Sequence, residues 1–340
     1  MSRPMPFPLA LGLSLGVVLL LFIVHLGLGS VSLPPDAVAA ALRGAPQDPS
    51  HDQIVVNLRL PRGLIALVAG AMLGLAGAVL QATVRNPLAE PGLTGISPGA
   101  ALGAVLWLTR GDMAAPGQTL PPVALLGGFG AGALVYWLSW RQRIDTARLM
   151  LTGVVVGALL SACTSFVLVL NQAYLGSTLL WLIGSLNGLV WIHWWTLWPW
   201  GLATLLCGVA CAGFANVLQP GDDVALGLGA RLEAVRALLL VVAAALTAGA
   251  VAIVGAIGFI GLVGPHIARC WVGQDARRLF PISALVAAGL LLGADCLAQM
   301  ISVNPPFAAN PQRAGIPVGA VTALLGAPVL LVLLRQRRRT

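Results

Sequence analysis

The sequence predicts an all-α, polytopic membrane protein of about ten transmembrane helices, and three observations predict it. Of 340 residues, 58% are hydrophobic and only 9% are charged, with a mean hydropathy of +0.93, whereas roughly a quarter of an ordinary soluble domain is charged. Apolar runs recur along the chain at 9–29, 63–84, 93–109, 120–140, 149–170, 190–215, 237–255, 258–271, 281–303 and 316–334. Most are long enough for a hydrocarbon core of ~30 Å. Finally, the cationic charge is all arginine, and its placement sorts the loops into two sides. Residues 1–340 read as one transmembrane domain.

The run 9–29 is about 20 residues long and is followed by no persuasive small-residue cleavage site, so it is expected to stay as a helix rather than act as a signal peptide. With ten spans both termini share a side. An inside N-terminus collects Arg3, Arg85, Arg141, Arg143, Arg148, Arg231, Arg236, Arg269, Arg277, Arg278, Arg335, Arg337, Arg338 and Arg339 inside. Arg43, Arg59, Arg62, Arg110 and Arg313 remain outside. Fourteen against five fits the positive-inside rule, so the topology is N-in, C-in. Trp191, Trp194, Trp195, Trp198 and Trp200 then form an interfacial belt at the outer start of the sixth span. The stretch 177–187 reads as an amphipathic half-helix outside the count.

Two connections are too polar and ordered to be simple linkers. The outer one, 34–62, ends in Arg59-Leu-Pro-Arg62. The inner one, 216–236, carries a helix-start signal in Pro220, Asp222 and Asp223, stop signals at Gly227 and Gly229, and a second start near 230.

In Gly255-Ala-Ile-Gly-Phe-Ile-Gly-Leu-Val-Gly-Pro-His-Ile-Ala-Arg269, glycine recurs at 255, 258, 261 and 264. A three-residue step falls short of a helical turn, so the four spread around the helix. In water they would cost roughly 3–4 kcal/mol relative to alanine. In a membrane they let backbones approach closely, so the stretch is expected to be a short span packed on all sides, starting near 258.

Ionisable groups are nearly absent from the spans. Asp295 lies well inside one, and Gln299, four residues on, is its expected partner; His25, His193 and His266 lie nearer span ends. Nothing resembles the relay of charges that proton or sodium coupling requires, so the driving energy is expected from elsewhere. Cys163, Cys207, Cys211, Cys270 and Cys296 sit in apolar runs and read as packing residues, although Cys207 and Cys211 share a helical face. Gly95-Ile-Ser-Pro-Gly99 matches the G-x-S-x-G nucleophile pattern, but that chemistry needs a strand-to-helix elbow and none is expected. The net charge of +8 comes without the basic, aromatic-interleaved patch of a nucleic-acid binder. Arg59 and Arg62 are expected to face outward, either holding lipid phosphate or meeting acidic residues of a partner. Asn86-Pro-Leu-Ala-Glu-Pro-Gly92 is a rigid inner turn, a connector or the mouth of a pathway.

Taken together, these residues resemble the permease subunits of type II ABC importers, which carry ferric siderophores, haem and cobalamin. The resemblance runs in order through Arg59-Leu-Pro-Arg62, Gly77-Ala-Val-Leu-Gln81, Asn86-Pro-Leu-Ala-Glu-Pro-Gly-Leu-Thr-Gly-Ile-Ser-Pro-Gly-Ala100 and Trp181-Leu-Ile-Gly-Ser-Leu186. It continues through Gly221-Asp-Asp-Val-Ala-Leu-Gly-Leu-Gly229, Gly258-Phe-Ile-Gly-Leu-Val-Gly-Pro-His-Ile-Ala-Arg269 and Pro317-Val-Gly-Ala-Val-Thr-Ala-Leu-Leu-Gly-Ala-Pro328.

The resemblance implies a subunit of the bacterial inner membrane that dimerises with a second copy or a close paralogue. It implies cytoplasmic ATPases, which use the ATP, and a periplasmic binding protein; no cofactor or metal is held by the permease itself. It places Arg59 and Arg62 at the binding-protein interface, and Arg313, in an enlarged outer loop 304–315, is expected to replace a docking charge that this chain lacks. Gly221, Asp222, Asp223, Ala225, Leu228 and Gly229 fall in the ATPase-coupling segment, and Asn86, Leu88, Thr146 and Ala147 at the cytoplasmic gate. Two departures stand out: Gln299 lies where related chains carry arginine, and Gly315 where they carry glutamate. Transport of a ferric siderophore by alternating access is the function implied, with haem or cobalamin as alternatives. The rivals from other classes are an ion-coupled carrier and a membrane enzyme acting through Ser97.

Overall fold

The computed structural model describes residues 4–337 except 30, 46–47, 111–115, 142, 145, 172–178, 180, 228, 230 and 304–313. Among these residues the chain is helical apart from two two-residue ladders, Trp140–Arg141 with Arg143–Ile144 and Ser302–Val303 with Ala314–Gly315.

Helix α1 (Phe7–Gly27) is followed by the short α2 (Pro35–Leu42) and α3 (Pro49–Asp52). A π-helical stretch, Gln53–Arg59, feeds directly into α4 (Leu60–Val84). After a 3-10 turn at Pro91–Thr94 come α5 (Ile96–Leu108), α6 (Pro116–Ser139) and α7 (Thr146–Leu170). Then α8 (Trp191–Ala210) bends by 43° into α9 (Ala212–Leu218). Next are α10 (Asp222–Gly227), α11 (Leu232–Val254), α12 (Ile260–Val272), α13 (Ala276–Met300) and α14 (Val318–Arg337).

Each of the ten apolar runs is therefore occupied by a helix. Among the described residues six are long and apolar enough to cross a membrane by themselves, or seven if α8 and α9 form one bent span. The others are shorter: α5 and α12 have 13 residues each, because both begin only after an unwound segment.

The bundle is built around α4, which is apolar on every side and buried over most of its length. Lipid gives helices no hydrophobic reason to associate, so close backbone approach has to do it. On α4 a Cβ at Gly70 would lie 2.8 Å from the Ala288 Cα, one at Gly74 2.6 Å from the Ser283 carbonyl oxygen, and one at Gly77 would overlap the Gly261 carbonyl. These contacts run α4 antiparallel to α13 and parallel to α12. Gly99 and Gly103 of α5 face Gly127 and Val123 of α6 in the same manner, again antiparallel.

The glycine-rich stretch divides differently from expectation. Gly261 and Gly264 lie in α12 and are packed as predicted, against Pro91 and Ala287. Gly255, with φ 74°, and Gly258 instead lie in an unwound break between α11 and α12. Phe259, at φ 68°, ends that break. Irregular backbone in a membrane protein persists where protein or a cavity satisfies it. Here Ser185 N donates to the Val254 carbonyl (3.0 Å) and Gly319 N to the Gly184 carbonyl (3.0 Å), so the connection ahead of α8 and the start of α14 flank the break.

Candidate functional site

Polar side chains gather at two places, one at each end of the bundle. Toward one end Asp295 of α13 is fully buried and receives four hydrogen bonds. The Arg62 guanidinium grips it with two prongs, Nε to Oδ2 at 2.8 Å and Nη2 to Oδ1 at 2.7 Å. His25 Nε2 lies 2.8 Å from Oδ2, and Gln299 Nε2 donates to Oδ2 at 2.9 Å. His25 Nδ1 meets no hydrogen-bond partner among the described residues. Gln299 is the partner expected from the i, i+4 spacing; Arg62 and His25 come from α4 and α1 and were not predictable from local sequence.

Arg59 and Arg62, expected to face outward, turn their side chains into the protein. Arg59 is only 6% exposed, and its guanidinium donates to the carbonyl of Leu26 at 2.8 Å and to that of Val31. The carbonyls near the end of α1 lack intrahelical donors, and an arginine brought close by the π-helical turn supplies them. The Arg62 side chain is 16% exposed because Asp295 draws it inward. Arg313, the third expected contact, lies outside the described residues.

At the other end, α10 forms where Asp222 and Asp223 open a helix, and Gly229 (φ 77°) follows it in a left-handed turn. Acidic residues in a first turn complement the helix dipole. Ala225 is buried, while Asp223, Val224 and Leu226 are exposed. The Asp222 carboxylate accepts from Arg85 Nη2 (2.8 Å), just past the end of α4, and from Arg236 Nη2 of α11 (2.8 and 2.9 Å). One exposed short helix is thus tied to two long helices. Gly221 precedes α10 at φ 110°; Leu228 lies outside the described residues.

Beside it, Asn86 Oδ1 accepts from Leu88 N at 3.0 Å, which shapes the inner turn, and Asn86 Nδ2 lies 3.6 Å from Met150 Sδ of α7. The expected gate loop and the first turns of α7 are therefore neighbours. Thr146 and Ala147 open α7, and their side chains lie outside the described residues.

Three links were not anticipated. Glu90, in the turn before α5, accepts from the Phe259 amide that begins α12, so it joins the two unwound segments. Gln81, a lone amide in an apolar helix, accepts from Arg269 Nη2 at 2.9 Å and donates to the carbonyls of Ala89 and Gly261. Asn216 binds Asp275 at 2.7 Å and the Ala276 amide at 2.8 Å, locking α9 to the start of α13. These hydrogen bonds, from Asn216 first and then from the Arg277 amide, hold the Asp275 carboxyl below its usual range. A polar residue in an apolar run was the available signal for Gln81; Glu90 gave none beyond its rarity.

His266, half-buried rather than enclosed, lies 3.9 Å from Cys270 Sγ. Among the described residues no three His, Cys, Asp or Glu side chains gather as a metal site. Ser97 stands in the first turn of α5, preceded by a 3-10 turn and not by a strand.

The sequence and the architecture have counterparts in known proteins. The chain is 40% identical over 318 residues to the ferric enterobactin transport system permease protein FepG of Escherichia coli, covering 92% of this chain and 91% of that one. It is 37% identical over 322 residues to the Fe(3+)-citrate import system permease protein YfmE of Bacillus subtilis (94% and 92% covered). It is also 37% identical over 303 residues to the cobalamin import system permease protein BtuC of Halobacterium salinarum (88% and 78% covered). A solved structure described as an inward-facing conformation of a metal-chelate type ABC transporter superposes with a TM-score of 0.83 at 31% identity, covering 97% of this chain and 99% of that chain. The sequence model of the FecCD transport family matches residues 17–336. This chain belongs to the FecCD transport family, and it is a multi-pass membrane permease subunit of an ABC importer, not an enzyme.

Proposed function

We propose that the protein is the permease through which a ferric siderophore crosses the bacterial inner membrane, received from a periplasmic binding protein and driven by cytoplasmic ATPases on a permease dimer. The observation that carries the coupling is Asp222, an exposed-helix carboxylate bound at once to Arg85 and Arg236. A partner that displaces α10 moves the end of α4, and with it the Asn86–Leu88 turn packed beside α7. Exposed Val224 and Leu226 offer that partner an apolar grip. Nucleotide and binding protein must each favour a different conformation for this to drive transport.

Iron chelates are chosen over cobalamin because relatives named for ferric enterobactin, Fe(3+)-citrate and iron(3+)-hydroxamate stand beside one named for cobalamin. Docking on the outer side falls to Arg62, whose guanidinium retains an exposed edge, rather than to Arg59. The test is uptake in proteoliposomes holding permease, ATPase and binding protein. Ferric siderophore enters with ATP and is indifferent to an uncoupler. Uptake that needs an ion gradient instead of ATP would refute this function.

A further inference from the structure

A cavity of about 400 Å³ lies between the first turn of α5, the middle of α7 and the unwound backbone of residues 256–258. Among the described residues no charged side chain lines it, but four hydroxyls do: Ser97, Ser161, Thr164 and Ser165. They are of two kinds. Thr164 and Ser165 donate to carbonyls one turn back, those of Leu160 (2.9 Å) and Ser161 (3.0 Å). Ser97 is 9% exposed, yet it and the exposed Ser161 make no side-chain hydrogen bond among the described residues. Both residues line the cavity, so their hydroxyls are available to donate to a ligand there.

A catalytic serine would need a base within reach, and among the described residues no His, Asp or Glu lines the cavity. What the site offers is hydrogen-bond donors with no fixed charge. That suits a ligand rich in acceptor oxygens which must be held and then released, as a conducting site requires. The volume is at the small end of ligand pockets, roughly 300–1,000 Å³, and admits one arm of a chelate.

We infer that Ser97 and Ser161 form a hydrogen-bonding subsite for the ligand oxygens of a ferric carboxylate, hydroxamate or catecholate chelate in transit. This subsite rests on the importer function proposed above and assigns the G-x-S-x-G serine a donor's part.

The test uses the full importer in proteoliposomes, with radiolabelled iron supplied as ferric citrate, a ferric hydroxamate or ferric enterobactin, each with a binding protein that delivers it. The readout is iron moved per ATP hydrolysed. Ser97→Ala and Ser161→Ala are each expected to lower it about fivefold, the value of one hydrogen bond. The double variant falls further, and Ser97→Thr, which keeps the hydroxyl, retains at least half. Ser161 is exposed, so Ser161→Ala separates the donor's effect from any loss of folding at Ser97. Wild-type yield of iron per ATP in Ser161→Ala or in the double variant overturns the subsite and leaves the importer function standing. A wild-type importer that moves cobalamin but none of the three iron chelates overturns the subsite and the iron assignment together.

Discussion

Arg62 and Asp295, 233 residues apart in sequence, form a two-pronged ion pair between α4 and α13, with the Asp295 side chain fully buried and the Arg62 side chain 16% exposed. The pair does two things. It pins α4 to α13 near one end of their shared interface, and it holds the guanidinium in one orientation, with His25 and Gln299 completing the carboxylate's shell.

Removing Asp295 leaves Arg62 and the buried His25 facing an empty place. Breaking one partner of a buried pair typically costs ~3–5 kcal/mol, whereas replacing both by apolar residues is often neutral. Asp295→Ala should therefore lower the thermal midpoint of the detergent-purified permease markedly, and Arg62→Met combined with Asp295→Leu should recover most of the loss. Equal midpoints for Asp295→Ala and wild type would show that the pair carries no stability.

The Asp222 hub predicts uncoupling rather than unfolding. Asp222→Asn keeps an acceptor but loses the charge that holds Arg85 and Arg236, and the site is partly solvated, with Asp222 38% exposed. Transport per ATP hydrolysed is expected to fall several-fold while the permease still purifies with its ATPase. A double-mutant cycle with Arg236→Met should give a coupling energy of about 0.5–3 kcal/mol, the range for residues in one network. A coupling of zero would remove Asp222 as the link.

Glycines at close contacts and glycines in open space should respond oppositely to alanine. A Cβ on Gly261 would lie 2.8 Å from Pro91 Cδ and 3.0 Å from the Leu73 carbonyl oxygen, whereas one on Gly130 of α6 meets nothing within 4 Å. Gly261→Ala should lower the yield of folded protein, and Gly261→Leu should abolish assembly with the ATPase. Gly130→Ala should be neutral or stabilise by about 0.4–1 kcal/mol through the unfolded state. Normal assembly of Gly261→Leu would contradict the close-packing account of α12.

Asp275 predicts a pH dependence. Its carboxyl is held below the usual range by Asn216 and by the Arg277 amide. A depressed folded pKa means that the contribution is complete above the unfolded value, about 4, and is lost as pH falls through the folded one. Between about pH 5 and pH 3 the thermal midpoint should fall less steeply in Asp275→Asn than in wild type. Identical slopes would mean that the Asn216–Asp275 junction does not contribute.

Much of the bundle was legible because apolar length is a property of the chain in one dimension. The ten apolar runs each hold a helix, and Pro220, Asp222 and Gly229 bracket α10 because capping and left-handed turns are local chemistry. Asp295 with Gln299 followed from helical spacing alone. The start of α12 was misplaced by two residues because Gly258 suits a packed helix and an unwound segment equally, and only the neighbours of Gly255 and Phe259 decide between them.

What the sequence determined by itself was the membrane class, the order of the spans, and the motifs that place the chain in its family. The tertiary structure alone decided which way Arg59 and Arg62 turn, which cations Asp222 binds, and that Glu90 meets Phe259 across 169 residues. The physical reason is that a buried charge or amide takes whatever partner packing brings within 3 Å or so. That partner is set by which helices touch, and no local pattern of residues encodes it.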